Sequence, residues 1–286
     1  MKNALVVFNY NSGRKQAVLY KKILHKYLLK KCHKFKFVSI DEFENAMSEE
    51  FDTIFAVGGD GTVNQVAKAV VGTDKTLAII PSGTANLLAA KLGISTNLKK
   101  TLKIFDENNI KKIDILNIND SLCVLRFGLG YDSDIICKTP QSLKNKFGYF
   151  AYFIAGIIFA LRLTPKTYDI SMNDKEFKIN ATCIIVANAA NMYQNLVSVA
   201  KDSELDDGYF DVFVMKAKNP ITFFFEFLRI MLNIKTNNSR AKYYKTQKMT
   251  IKNDWTSCHI DGEKVKLKDD ININIIPETL KVFYKK

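Results

Sequence analysis

Apolar runs and polar turns alternate along the first hundred residues. Short apolar segments typical of buried strands are followed by turns, and then by segments with apolar residues at helical spacing. The predicted strands are Ala4–Phe8, Phe35–Ile40, Phe51–Val57 and Leu77–Ile80, and the predicted helices are residues 16–31 and 63–70. This alternation predicts a parallel sheet covered by helices, with ligands bound at the carboxyl ends of its strands.

After about Asn109 the pattern changes to short strand-like segments, many of them joined by tight turns such as Asn119-Asp120 and Asn173-Asp174. Such spacing is typical of antiparallel strands. The predicted strands cover residues 112–118, 122–127, 167–172, 177–187, 209–215, 248–251, 256–260, 271–276 and 280–284. We therefore predict an α/β nucleotide-binding domain over residues 1–110 and a mainly antiparallel domain over residues 111–286, the end of which can pack back on the first domain.

Two apolar segments interrupt the second domain. Residues 147–161 form a run shorter than the roughly 20 residues that cross a bilayer. Residues 221–234 form another, which Glu226 and Arg229 interrupt. We expect two buried helices here, and the alternative is that they line an apolar ligand cleft or rest on a membrane surface.

The chain carries a net charge of +13 and five scattered cysteines. The charge is explained equally well by a solvated lysine-rich surface and by attraction to a polyanion. Because no nucleic-acid-binding module is recognisable, no nucleic-acid partner is expected, and the polyanion would be an anionic membrane. Unpaired cysteines and the absence of a signal-peptide pattern favour the reducing cytoplasm, with peripheral membrane contact.

The strongest chemical signal is the turn Gly58-Gly59-Asp60-Gly61-Thr62 between a predicted strand and a predicted helix. Glycines allow backbone N–H groups at such a junction to approach a phosphate closely. An aspartate in a phosphate site repels its ligand unless a cation lies between them, so the turn indicates metal–nucleotide chemistry. Thr62 and Gln65 have the spacing of a capping box, which predicts the start of the helix there.

Four further turns offer polar groups. Residues 9–13 and 81–86 each follow a predicted strand of the parallel sheet, so three glycine-bearing turns are expected at one sheet edge. In the second domain, residues 204–209 are either a hairpin turn or a metal site formed by carboxylates and carbonyls. Asp261-Gly262-Glu263 is either a hairpin turn or the source of a general base for a hydroxyl nucleophile.

Eight motifs in this order resemble the diacylglycerol kinase catalytic-domain superfamily, specifically its bacterial lipid kinases, which are related to sphingosine kinases and more distantly to NAD kinases. They are residues 9–13, Gly58–Asn64, Gly83–Asn86, Ile113-Asp114, Gly128–Asp132, Lys146–Tyr149, Asp206–Gly208 and Asp261–Glu263. The glycine-rich core alone also occurs in NAD kinases, whereas the ordered set spans nearly the whole chain and distinguishes the two families.

The resemblance implies a doubly wound α/β domain, a β-sandwich-like second domain and an ATP-binding active site in the cleft between them. It assigns the general base to Glu263, and from the charge argument above we expect Asp60 to be the second catalytic residue, holding the catalytic Mg²⁺. It assigns a structural Mg²⁺ to Glu204, Asp207 and Tyr209. The nucleotide contacts it implies are Asn9, Tyr10, Asn11, Ser12, Gly13, Gly59, Asp60, Gly61, Thr62, Val63, Asn64, Gln65 and Thr84, and Ser39 lies near a further one. The glycine turns themselves add Gly58 and Gly83 as expected nucleotide contacts.

The chain departs from this family at three places. Leu87 replaces an aspartate, residues 9–13 lack the family's proline, and Tyr193–Leu196 replaces a Gly-Gly element. The resulting prediction is an ATP- and Mg²⁺-dependent lipid kinase, most simply converting diacylglycerol to phosphatidic acid. An NAD kinase-type enzyme and a non-catalytic nucleotide- or lipid-binding relative are the alternatives, and whether the chain forms a homodimer is left open.

Overall fold

The computed structural model describes residues 2–9, 14–48, 50–140, 143, 155–156, 158, 164–188, 191–192, 197–198, 203–217, 219–231, 239–252, 258–267 and 269–286. The chain divides into two compact units. The first contains residues 1–113 and 278–286, and the second contains residues 114–277.

The first unit is built on a parallel sheet. Its strands are β1 (Asn3–Phe8), β2 (Lys34–Ser39), β3 (Thr53–Gly58) and β4 (Thr76–Pro81). They lie in the order β2-β1-β3-β4, with Phe8 beside both Ser39 and Val57 and with Gly58 beside Pro81. This register brings the carboxyl ends of all four strands to one edge.

Helices cover this sheet. They are α1 (Arg14–Lys31), the short α2 (Phe43–Ala46), α3 (Asp60–Val70), α4 (Leu87–Lys91) and α5 (Leu98–Glu107). Leu24 and Leu28 of α1 and Phe105 of α5 join one core cluster with alternate residues of β1, β3 and β4. Because α3 contacts β3 and β4 without entering that cluster, it packs on the opposite face. The predicted doubly wound arrangement is confirmed.

The second unit is a β-sandwich. One layer contains the C-terminal half of β5 (Ile110–Ile118), together with β6 (Ser121–Cys123), β8 (Lys166–Met172), β9 (Lys175–Ala181), β15 (Lys248–Lys252) and the first part of β18 (Ile271–Phe283). The other has the order β14-β13-β10-β7-β16-β17, formed by β7 (Arg126–Gly130), β10 (Cys183–Ala187), β13 (Phe210–Met215), β14 (Ala241–Thr246), β16 (Cys258–Ile260) and β17 (Glu263–Val265). The short strands β11 (Asn191–Met192) and β12 (Val197–Ser198) pair separately.

Alternation along the strands places the core of the sandwich. In β10, Ile184 and Val186 join the cluster between the layers, whereas Ile185 faces outward. Two helices, α6 (Tyr131–Lys138) and α7 (Pro220–Met231), cover this outer face through Tyr131 and Phe223. The predicted fold class, an α/β domain followed by a β-sandwich-like domain, is therefore confirmed.

Three predicted tight turns are observed. Asn119-Asp120, Asn173-Asp174 and Asp261-Gly262 each have two residues with positive φ and join antiparallel strands. Positive φ at both central residues is the geometry of the two-residue hairpin, which asparagine, aspartate and glycine tolerate best.

Three strand predictions were wrong in extent. Residues 122–127 belong to two strands, β6 and β7, rather than to one. The predicted strand 177–187 likewise breaks at Thr182. The Thr182 carbonyl accepts the Tyr131 N–H, and the Thr182 N–H donates to the Met215 carbonyl. Strands β9 and β10 on either side of this break belong to different layers. Conversely, β18 continues through Pro277 and Glu278, where two strands were predicted.

The two apolar segments are described unequally. Nearly all of residues 147–161 lies outside the described residues, as do residues 232–238, whereas α7 covers all but the last three residues of the second segment. Within the described part of the chain, no helix combines the length and the apolarity needed to cross a bilayer.

Candidate active site

The turn after β3 leads directly into α3. Gly59 is the N-cap and the helix begins at Asp60, so the predicted capping box of Thr62 and Gln65 is wrong. Thr62 lies inside the first helical turn and is buried, while Gly61 and Gln65 are exposed. The exposed backbone and the N-terminus of this helix give the geometry that favours an anionic ligand.

A side-chain hydrogen bond connects the first turn to the second. Asn9 follows β1, and its Nδ2 donates to Thr62 Oγ1 at 3.1 Å. Ser39 ends the neighbouring strand β2 beside Phe8, so it lies at the same sheet edge. Of the first turn, Tyr10, Asn11, Ser12 and Gly13 fall outside the described residues.

Asp60 connects the second turn to the third. Its Oδ2 accepts the Asn86 N–H at 2.9 Å and its Oδ1 accepts the Leu87 N–H at 2.7 Å. The Asn86 side chain in turn accepts the Gly83 N–H at 3.0 Å and donates to the Gly83 carbonyl at 2.8 Å. The carboxylate predicted to face a metal is therefore also a structural link between the second and third turns.

Backbone contact brings the second and third turns still closer. A Cβ atom on Gly83 would lie 2.5 Å from the Cα of Gly59, a distance that real Cβ atoms do not show. Only glycine permits this approach. Thr84, the next predicted nucleotide contact, is exposed beside it.

Asn64 is an unusual buried residue of α3. Its side chain is 4% exposed, and neither amide atom has a hydrogen-bond partner within the described structure. Buried amides in folded proteins are nearly always hydrogen-bonded. In α3, close to the glycine turn, this amide has hydrogen-bonding capacity that either a ligand or an ordered water would fill.

In the second unit, Glu263 begins β17 immediately after a rigid hairpin turn. The Asp261 carboxylate in that turn accepts the backbone N–H groups of Val124, Leu125 and Arg126 at 3.0, 2.8 and 3.2 Å. Asp261 is thus a structural clamp, whereas the Glu263 side chain is exposed. The arrangement presents one carboxylate to solvent on a fixed backbone.

The buried pair of His259 and Asp132 supports this hairpin through a hydrogen bond to its backbone. His259 Nε2 lies 2.6 Å from Asp132 Oδ2, and His259 Nδ1 accepts the Gly262 N–H at 3.3 Å. In the neutral ring, Nε2 therefore carries the proton. Burial alone raises the pKa of Asp132, but the Arg126 guanidinium and His259 outweigh it and hold this pKa below its ordinary value.

Two more motifs meet in the second unit. The buried Asp114 carboxylate accepts the Gly208 N–H at 2.7 Å and so holds the Glu204–Tyr209 turn. In this turn, Asp207 accepts the N–H groups of Glu204 and Tyr209 at 3.3 and 2.9 Å. No cluster of three acidic, histidine or cysteine side chains suited to a metal occurs among the described residues.

Comparison with known families identifies the chain. Residues 3–118 match the diacylglycerol kinase catalytic domain, and residues 127–284, more than half of the chain, match the YegS C-terminal NAD kinase beta sandwich-like domain. The chain belongs to the diacylglycerol kinase superfamily. It is a kinase of the bacterial lipid kinase group, as the motif order predicted.

Individual relatives of this kinase agree. A diacylglycerol kinase from Bacillus subtilis strain 168 is 26% identical over 281 residues, covering 92% of this chain and 90% of its own length. Another, from Staphylococcus saprophyticus, is 25% identical over 264 residues, with 88% and 82% covered. The solved structure of a diacylglycerol kinase from Bacillus anthracis strain Sterne has a TM-score of 0.77 at 18% identity, covering 99% of this chain and 97% of its own.

Sequence reasoning assigned no role to three residues that the geometry makes prominent: Asp132, Lys245 and His259. Asp132 belongs to a motif that entered only through the family resemblance. His259 carried a recognisable signal, because it is a polar residue in an apolar strand immediately before the Asp261–Glu263 motif. Lys245 carried none, since its role depends on pairing between β13 and β14.

Proposed function

We propose that this kinase transfers the γ-phosphoryl group of ATP to a lipid hydroxyl, most simply that of diacylglycerol, in a Mg²⁺-dependent reaction. The observation that carries the proposal is the convergence of glycine-bearing turns through Asp60 and Asn9, with the unsatisfied Asn64 amide beside them. Phosphoryl transfer depends mainly on alignment and charge neutralisation, which such a cradle supplies.

The roles of the residues follow from their positions. The turn glycines and the start of α3 bind the phosphates through backbone N–H groups. Asp60 would hold Mg²⁺ from the start of α3, where its carboxylate lies between the second and third turns. Mg²⁺ bound with ATP neutralises charge on the phosphates. Glu263 orients the acceptor hydroxyl and takes its proton.

A labelled-phosphate assay tests the function. Radiolabelled ATP is incubated with the protein and diacylglycerol, phosphatidylglycerol, sphingosine or NAD, in Mg²⁺ and in EDTA. We expect label on diacylglycerol in Mg²⁺ alone. Label on another lipid would keep the reaction and change the acceptor, label on NAD would favour the NAD kinase alternative, and label on no acceptor would favour a non-catalytic relative.

We also propose that α7 contacts an anionic membrane, where the lipid acceptor resides. Ile221, Phe224 and Phe225 lie one helical turn apart and are 69%, 44% and 53% exposed. At the same helix, the buried Glu226 lies 3.8 Å from Arg229 and 3.9 Å from Arg240, so two cationic side chains are present there. Exposed aromatic residues beside cationic ones suit an anionic interface.

Vesicle sedimentation tests the membrane contact. Phe225→Ser is expected to weaken binding to phosphatidylglycerol-containing vesicles about tenfold, because it removes a side chain that lipid would bury. Leu29→Ser is the matched control, since Leu29 is 62% exposed on α1. Equal losses in the two variants, or equal wild-type binding to neutral vesicles at low salt, would contradict the proposal.

A further inference from the structure

A short ion pair joins the Glu204–Tyr209 turn to Lys245 of strand β14. Lys245 Nζ lies 2.7 Å from Asp207 Oδ2, with the two side chains 33% and 23% exposed. The other carboxylate oxygen, Oδ1, accepts the Tyr209 N–H at 2.9 Å. The charge of Asp207 is therefore balanced within the chain.

Strand β14 holds Lys245 at this position. The Nζ atom of Lys245 also lies 5.6 Å from the centre of the Tyr209 ring, a distance at which a cation is attracted to an aromatic face. Just beyond the end of β14, the Gln247 side chain donates to the Gly208 carbonyl at 3.0 Å. The segment containing β14 therefore contacts the turn at two points, the Lys245–Asp207 ion pair and the hydrogen bond from Gln247 to the Gly208 carbonyl.

This arrangement does not fit a divalent metal ion. Mg²⁺ prefers near-octahedral coordination by oxygen. Asp207 instead directs one oxygen to an ammonium group and the other to a backbone N–H. A metal at this carboxylate would lie beside the positive charge of Lys245, and the repulsion between them would weaken its binding.

We infer that the ammonium of Lys245 takes the position of a structural cation at the Glu204–Tyr209 turn, so that this turn is built without a metal. The inference is independent of the proposed reaction, because it concerns the folding of the second unit. Any Mg²⁺ that enters with ATP is a separate ion.

Thermal unfolding without nucleotide tests this assignment. In the wild-type protein, Tm should be the same in EDTA and in millimolar Mg²⁺ at equal ionic strength. Lys245→Met should lower Tm in EDTA by about 2 °C or more, since it leaves the Asp207 carboxylate without its counter-charge. Mg²⁺ should restore part of this loss, because the vacated position then admits a cation.

Three further variants complete the test. Lys245→Arg keeps the charge and should show no Mg²⁺ response. Lys252→Met removes an exposed lysine of β15 that pairs with Glu176 of β9 across the intervening strand β8, and should change neither Tm nor its Mg²⁺ dependence. Adding Asp207→Asn to Lys245→Met should abolish the Mg²⁺ rescue.

Two results would overturn the inference. One is a rise in wild-type Tm with Mg²⁺ that Asp207→Asn removes, because the native turn would then bind a metal. The other is a Lys245→Met protein whose Tm does not respond to Mg²⁺, because the turn would then not be a cation site. Calorimetric titration with Mn²⁺ gives the same distinction at a temperature where every variant is folded.

Discussion

Glu263→Gln should lower kcat by about 10²–10⁴-fold, the usual range for losing a general base. Glutamine keeps the size of the side chain and cannot accept the proton of the acceptor hydroxyl. The backbone beneath it is fixed independently by the Asp261 clamp and by the His259–Asp132 pair, so the hairpin should keep its shape. KM for ATP and Tm should therefore change little.

The measurement is steady-state kinase activity on the acceptor that the labelled-phosphate assay identifies. Glu176→Gln is the matched control, because Glu176 is another exposed glutamate of the second unit, paired only loosely with Lys252 at 3.4 Å. It should retain wild-type kcat. If Glu263→Gln also retained wild-type kcat, Glu263 would not be the base.

Gly61→Ala should weaken ATP binding at least tenfold without destabilising the fold. A Cβ atom at Gly61 meets no heavy atom within 4 Å, so alanine fits the folded protein. Glycine is also costly in a helix relative to alanine, which favours the variant slightly. Loss of affinity would therefore report the approach of a phosphate to this turn rather than damage to the protein.

Two other glycine variants separate binding from stability. Gly83→Ala should both weaken ATP binding and lower Tm, because the alanine Cβ atom would force residues 59 and 83 apart. Gly93→Ala should lower Tm alone, since Gly93 has φ of +70° away from the turns and lies against Lys285. ATP affinity is measured by calorimetry. Wild-type affinity in Gly61→Ala would place the phosphates elsewhere.

Much of the fold was predictable because its strands are buried in distinctive ways. Strands β1, β3 and β4 are covered on both faces and therefore appear as apolar runs ending in polar turns. Hairpins such as Asn173-Asp174 were predictable because few residue types tolerate positive φ at two successive positions. These are local properties, and the residues themselves carry them.

The errors arose where distant contacts decide the structure. The break at Thr182 depends on hydrogen bonds with Tyr131 and Met215, neither of which is near it in sequence. One error was local instead: α3 begins before Thr62 because Gly59 serves as its N-cap, although the Thr62–Gln65 spacing favoured a later start. Strand β14 was not predicted, since its residues are only partly apolar and its pairing with β13 supplies the missing stability.

By itself, the sequence determined the α/β and β-sandwich architecture, the family and the turns that would hold a phosphate. These depend on glycine positions, strand periodicity and motif order, all of which are written along the chain. Only the tertiary structure decided that Asp60 links two turns, that Asp132 pairs with His259, and that Lys245 pairs with Asp207. Each of these pairings joins residues far apart in sequence, and the partner of a charged group is set by which strands and turns the fold brings within hydrogen-bonding distance.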